Sequence, residues 1–128
     1  MRGKASRIAL AVLVGYLVNA TLIVLTDLFL LRFVPKNLFF GTDFATQCFY
    51  EVAAGYLCCV IAKSVEREAT ILLLALGLLV GAISLRSAWR TEPHWYGLGL
   101  LAVWAPLVWL AYAAWSFCSQ RARIARDR

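Results

Sequence analysis

Asp27 and Glu51 have the greatest capacity for chemistry in this sequence, because each is a carboxylate set inside a long apolar run. An ionisable side chain within a membrane costs at least a few kcal/mol unless it faces protein or water. Gln47 stands about one helical turn before Glu51 and Asn19 about two turns before Asp27, so each carboxylate shares its helix face with an amide. Counting about 1.5 Å per residue from helix ends at Leu31 and Phe44 places Asp27 roughly 6 Å deep and Glu51 roughly 10 Å deep, in the same half of the bundle. No Lys or Arg lies deep in the apolar runs to neutralise them, although Arg32 and Arg86 lie near the rim and can reach inward.

Three uses compete for the pair. In the structural one, Asp27 is a rim residue in contact with water and Glu51 a protonated, hydrogen-bonding residue that holds helices together. The second is a proton or cation relay, and the third a docking point for a basic residue on a partner protein. The sharpest expectation is that Asn19, Asp27, Gln47 and Glu51 line a small outward-facing polar pocket.

Other chemistry finds little support. Glu92-Pro93-His94 offers one carboxylate and one imidazole, and with a single His in the chain no metal site or cofactor is expected. Cys48, Cys58, Cys59 and Cys118 contain no C-x-x-C pair and read as small packing residues rather than a disulfide framework. No nucleophile, base and orienting group fall in a usable arrangement, so a non-enzymatic role is expected. The formal charge of +6 could suggest nucleic acid, but the basic residues sit between and beyond the apolar runs rather than along one face. They read as topology signal and headgroup contact.

The elements that must position Asp27 and Glu51 follow from hydropathy. With 62% hydrophobic and 16% charged residues in 128 positions, the chain holds more apolar surface than a soluble domain of this size could bury. A spanning helix needs about 20 mostly apolar residues, and four such stretches occur, at about 8–31, 44–62, 69–89 and 95–118. The expected fold is all-α: one domain, residues 1–128, an up-down bundle of four membrane helices. Arg2, Lys4 and Arg7 before the first run resemble a secretory signal, but the run continues to Leu31, too long for a typical signal core, and reads as a retained anchor. Residues 33–43 read as a linker, with Pro35 marking the end of helix one.

Orientation follows from charge. Residues before the first helix, in the second link and after the last helix carry nine of the thirteen Lys and Arg, which puts both termini in the cytoplasm. The tail residues Arg121, Arg123, Arg126 and Arg128 then face anionic headgroups, at about 1 kcal/mol per charge. Trp89, Trp95 and Tyr96 fall at the outer surface and Trp115 near the inner one, while Trp104 and Trp109 flank a kink at Pro106.

Helical spacing puts Phe44, Gln47, Glu51, Ala54, Gly55, Cys58 and Ala62 on one face of helix two. A bounded arc of helix one gathers Tyr16, Asn19, Ala20, Ile23, Thr26 and Asp27. Consecutive helices usually lie side by side, so these faces should meet, with Gly15 and Gly55 level. Gly77-x-x-x-Gly81 in helix three is a packing motif, for a neighbouring helix or for a homodimer seam. Helix two should be the most enclosed, and a bundle this small should have little interior volume.

Through Gly15-Tyr16, Asn19, Gly55-Tyr56 and Trp95-Tyr96 the chain resembles small bacterial four-helix membrane proteins of unassigned function, a resemblance that implies no activity. In length and helix count it also resembles the small multidrug resistance transporters, but their hallmark carboxylate lies in helix one, whereas the deepest here, Glu51, is in helix two. The first expectation is an accessory or assembly subunit of a membrane complex in the bacterial cytoplasmic membrane, with the lipid bilayer and another membrane subunit, or itself, as partners. The alternative is a homo-oligomeric proton- or cation-coupled transporter using Glu51 and Asp27.

Overall fold

The computed structural model describes residues 2–126 and is all-helical over them: α1 (Arg2–Phe33), α2 (Lys36–Ala62), α3 (Glu66–Ala88) and α4 (His94–Arg126). Each is long and apolar enough to cross a membrane. The large hydrophobics support this reading, because Leu13, Leu28, Phe49, Leu79 and Leu110 point out of the bundle rather than into it. The side chains at the centre are small: Ala11, Cys58, Ala62 and Ala69 pack with Leu73 and Val108. Helices that gain nothing from mutual hydrophobicity in lipid associate by close van der Waals contact, which small residues permit. The chain is a multi-pass membrane protein.

Every helix is longer than hydropathy alone suggests, and the difference matters most in α2. Pro35 disfavours helix in the residue before it, so α1 closes with the Val34 amide on the Leu30 carbonyl (2.9 Å). The same proline, with φ −58° and ψ 144°, caps α2, which starts at Lys36 rather than Phe44. Residues 36–43 are therefore helix and not linker. From Lys36, Glu51 lies about 22 Å along the helix, near its middle. The α2–α3 turn holds two non-glycine residues at positive φ, Lys63 (25°) and Ser64 (53°), and reverses the chain within residues 63–65. Glu66 and Glu68 in the first turn of α3 complement its dipole. Pro106 lies inside α4, which continues through it.

The α1–α2 and α3–α4 links share one end of the bundle, the link end. The described chain ends and the α2–α3 turn share the other, the terminus end. α2 packs on all three other helices, and a third of its apolar window is buried against 17% in each of the others. Among the described residues α1 does not pack on α4, so the perimeter runs α1, α2, α4, α3.

The glycines show how these contacts are made, and they correct one expected pairing. A Cβ placed on Gly15 would lie 3.2 Å from the Ala54 carbonyl oxygen and 3.3 Å from Cys58 Cβ, so α1 approaches α2 there. Gly55 does not meet Gly15. It faces α4, where an added Cβ would lie 2.9 Å from Ala111 Cβ and 3.3 Å from the Val108 carbonyl oxygen. Gly77 and Gly81 also face α4, receiving the Trp104 ring and Leu101, so this stripe is filled within the protomer. Arg121 and Arg123 are exposed at the terminus end of α4, with the Arg121 guanidinium 4.6 Å above the Phe117 ring. The side chain of Arg126, and Arg128 altogether, lie outside the described residues.

Candidate functional site: an acidic cavity at the link end

Asp43, Gln47 and Glu51 recur one helical turn apart on α2 and all three are buried, a costly arrangement unless partners are supplied. Asp43 and Gln47 find them in each other and in α4. The Gln47 side-chain amide donates to Asp43 Oδ2 (2.6 Å) and to the Tyr96 hydroxyl oxygen (2.6 Å), and the Tyr96 hydroxyl donates to the same Asp43 oxygen. This closed triangle ties α2 to α4 at the link end. Phe40 covers it, with its ring centroid 5.2 Å from that of Tyr96. Tyr96 is thus a buried network residue, not a member of an interfacial belt. Trp89 and Trp95 beside it are exposed.

Asp27 approaches from α1 with the Asp43 carboxyl as its side-chain neighbour, and the adjacent Thr26 hydroxyl shares a 2.7 Å hydrogen bond with that of Tyr50 on α2. Partial desolvation and the Asp43 carboxylate together push the Glu92 carboxyl, in the α3–α4 link, above its ordinary value. Four carboxyl groups therefore gather in this half of the bundle, and the side chains that bind Asp43 are an amide and a phenol, neither of them a base.

Below the triangle the helices part to leave a cavity of about 420 Å³. α1 contributes Tyr16, Asn19, Ile23 and Asp27, and α2 contributes Gln47 and Glu51. α3 presents the face of Gly77, Gly81 and Ser84, and α4 presents Tyr96, Leu101 and Trp104. Exposed Ser87 and Glu92 mark its reach to the link end. Trp104 closes the far end: it is buried, lies over Gly77, and its indole N–H donates to the Leu74 carbonyl (3.2 Å). Beyond it the packed core of Ala11, Cys58, Leu73 and Val108 fills the bundle toward the terminus end. The expectation of little interior volume does not hold. Trp104 occupies the space over Gly77, and the cavity lies on its link-end side, where α3 presents Gly81 and Ser84.

The four residues singled out from sequence, Asn19, Asp27, Gln47 and Glu51, all line this one cavity. Tyr96, which also lines it, and Asp43, which binds Tyr96 and Gln47 beside it, were not legible in that way. Asp43 was assigned to the linker and Tyr96 to the membrane surface. The signal for Asp43 was its spacing, since 43, 47 and 51 continue one face by i, i+4 steps, and Pro35 is as good a helix start as a helix stop.

The walls are chemically one-sided. Asn19 Oδ1, Asp27 Oδ1 and Glu51 Oε2 in the walls, and Asp43 Oδ1 in the neighbouring triangle, are buried without a hydrogen-bond partner, and every one is an acceptor. No Lys, Arg or His is among the described lining residues. His94 lies elsewhere, stacked on Trp89 at 4.0 Å between centroids with its Nε2 against the Trp89 carbonyl oxygen (2.9 Å). Among the described residues no group of three or more His, Cys, Asp and Glu converges as a metal site. Cys58 and Cys59 are buried thiols, Cys59 lying 3.5 Å from the Thr70 hydroxyl, and neither is among the described lining residues.

The fold and this site define a small multi-pass membrane protein with an acceptor-rich, acidic cavity open toward one end of its bundle. Comparison with protein-family models, with curated proteins and with solved structures gives no match to this chain.

Proposed function

We propose that the protein is a small membrane carrier that binds a cation in exchange for protons, with Glu51 and Asp27 as the exchanging groups. The observation that supports this reading is the Glu51 carboxyl: 4% exposed, one oxygen without a partner, on the wall of a cavity with no basic residue in its described lining. A carboxyl in such a place is neutral when protonated and holds a cation when ionised, so proton release and cation capture are alternatives at one atom. The charge pattern supports placing the terminus end in the cytoplasm, in the manner of a bacterial cytoplasmic membrane protein, so that the cavity faces outward. The cavity lies within one protomer, and self-association would serve to complete a path rather than to create a site.

The test uses purified protein in proteoliposomes loaded with a pH-sensitive dye, challenged with inorganic cations and with small ammonium ions across a range of pH. Wild type should move protons in response to at least one class of cation, and Glu51→Gln should abolish the response and its pH dependence. The titratable groups that line the cavity with Glu51 are Tyr16 and Asp27 on α1, Tyr96 on α4, and Glu92 in the α3–α4 link, and Cys48 lies near it on α2. An unchanged profile in Glu51→Gln would remove that residue from the mechanism. No proton movement in wild type, together with a defined heteromer released from native membranes, would favour the accessory-subunit role instead.

A further inference from the structure

The reading of the cavity as a cation site leaves the ligand unnamed, and two features of its walls narrow the choice. The first is the sense of the unsatisfied groups. Asn19 and Glu51 are each more than nine-tenths buried, each lines the cavity, and each has an oxygen with no donor. Asp27 adds a third such oxygen. Buried acceptors without donors are costly, so a ligand that belongs here brings several N–H groups as well as positive charge. A quaternary ammonium has the charge and no donors. A metal ion needs oxygens that converge, and these carboxylates are spread along the bundle axis.

The second feature is that spread. Asp27 lies beside Asp43, so the two mark one level, with Glu92 near it at the link end. Glu51 marks another, two turns of α2 beyond Asp43 and about 12 Å along the axis. Allowing a charge-assisted contact of about 2.8 Å at each end leaves about 6 Å between two ligand nitrogens, the span of an extended four-carbon chain. Between the levels the wall turns apolar, with Ile23, Val80 and Leu101 available to methylene groups. The volume of about 420 Å³ is in the range of small-ligand sites.

We propose that the cavity binds a linear diammonium ion, one ammonium on Glu51 with the Asn19 carbonyl oxygen and the other between Asp27 and Glu92. Each ammonium replaces a carboxyl proton, so entry of the dication releases protons and leaves the site close to neutral. This rests on the cation-exchange reading and adds the ligand's chemistry to it.

The deciding experiment is calorimetric titration of the full chain in detergent with terminal diaminobutane, n-butylamine, tetramethylammonium and calcium. Diaminobutane should bind about tenfold or more tightly than butylamine, because it makes a second charge-assisted contact, and tetramethylammonium more weakly than either. Glu51→Gln should bring diaminobutane down to the butylamine level, and Asp27→Asn should do the same from the other end. Should one variant fail to elute as wild type does, the other decides. Equal binding of diamine and monoamine, or a diamine preference that survives in a folded variant, overturns the diammonium assignment. Tighter binding of tetramethylammonium or calcium overturns it while leaving a cation site in place. If none of the four binds and no cation moves protons in proteoliposomes, both readings fall together.

Discussion

The Asp43, Gln47 and Tyr96 triangle can be dissected by a double-mutant cycle whose outcome the geometry dictates. Asp43 Oδ2 accepts from both Gln47 and Tyr96. Asp43→Leu removes the acceptor and strands the Tyr96 hydroxyl and one Gln47 N–H in a buried site. Each stranded donor costs about 1–3 kcal/mol, so the substitution should destabilise the bundle by about 2–6 kcal/mol. Tyr96→Phe removes one donor to Asp43 and the acceptor of the other Gln47 N–H, at a cost of about 0.5–1.5 kcal/mol for the hydrogen bond and about 1–3 kcal/mol for the stranded N–H. In the double variant the Tyr96 hydroxyl is no longer there to be stranded. The combined loss should therefore fall short of the sum by about 1–3 kcal/mol, the coupling of two groups in one network. Asp43→Asn keeps the shape and an acceptor oxygen for the Tyr96 and Gln47 donors and should lose less than Asp43→Leu. The assay is reversible unfolding in mixed micelles by added denaturing detergent, followed by circular dichroism. Additive losses, within about 0.5 kcal/mol, would refute the argument that these side chains act as one unit.

Three further outcomes follow from the packing. Gly41 has nothing within 4 Å of an added Cβ, whereas a Cβ on Gly55 would lie 2.9 Å from that of Ala111. Gly41→Ala should be neutral or stabilise by up to about 1 kcal/mol, and Gly55→Ala should destabilise by about 1–3 kcal/mol in the same unfolding assay. Gly77→Ala should displace Trp104 from the cavity's end and appear as a changed indole emission. Cys118 is exposed, Cys48 partly so, and Cys58 and Cys59 are buried. Maleimide labelling in detergent should proceed in that order, with the last two reacting only on unfolding, as read by intact mass.

The sequence carried the spans plainly, because hydropathy over some twenty residues is a sum that tolerates local error. It carried Asn19, Asp27, Gln47 and Glu51 as well, since a polar residue in an apolar run is conspicuous whatever surrounds it. Neighbour choice was not carried. Gly55 lies on the same broad face as Glu51, and adjacency in the chain favoured α1 as its partner, yet α4 fills it. A helix as central as α2 has neighbours on several sides, and periodicity states which residues share a face without stating who meets it. Asp43 was missed for a local reason: Asn37, Gly41 and Thr42 are poor or ordinary helix formers, and propensity yielded to the continuation of the buried face. Tyr96 was missed because its partner was.

The placement of Tyr96 on the last helix has a consequence for biogenesis. The chain is made from its N-terminus, so α1, α2 and α3 enter the bilayer while α4 is still being synthesised. Until α4 arrives, Asp43 and Gln47 lack the phenol that completes their triangle, Gly55 and Gly77 face an unfilled groove, and Trp104 has not closed the cavity. A chain that stops short of α4 thus exposes polar groups at depth, which is a recognisable defect for membrane quality control. Insertion of α4 buries the defect and finishes the site in one step, so that the cavity is assembled only when α4 docks.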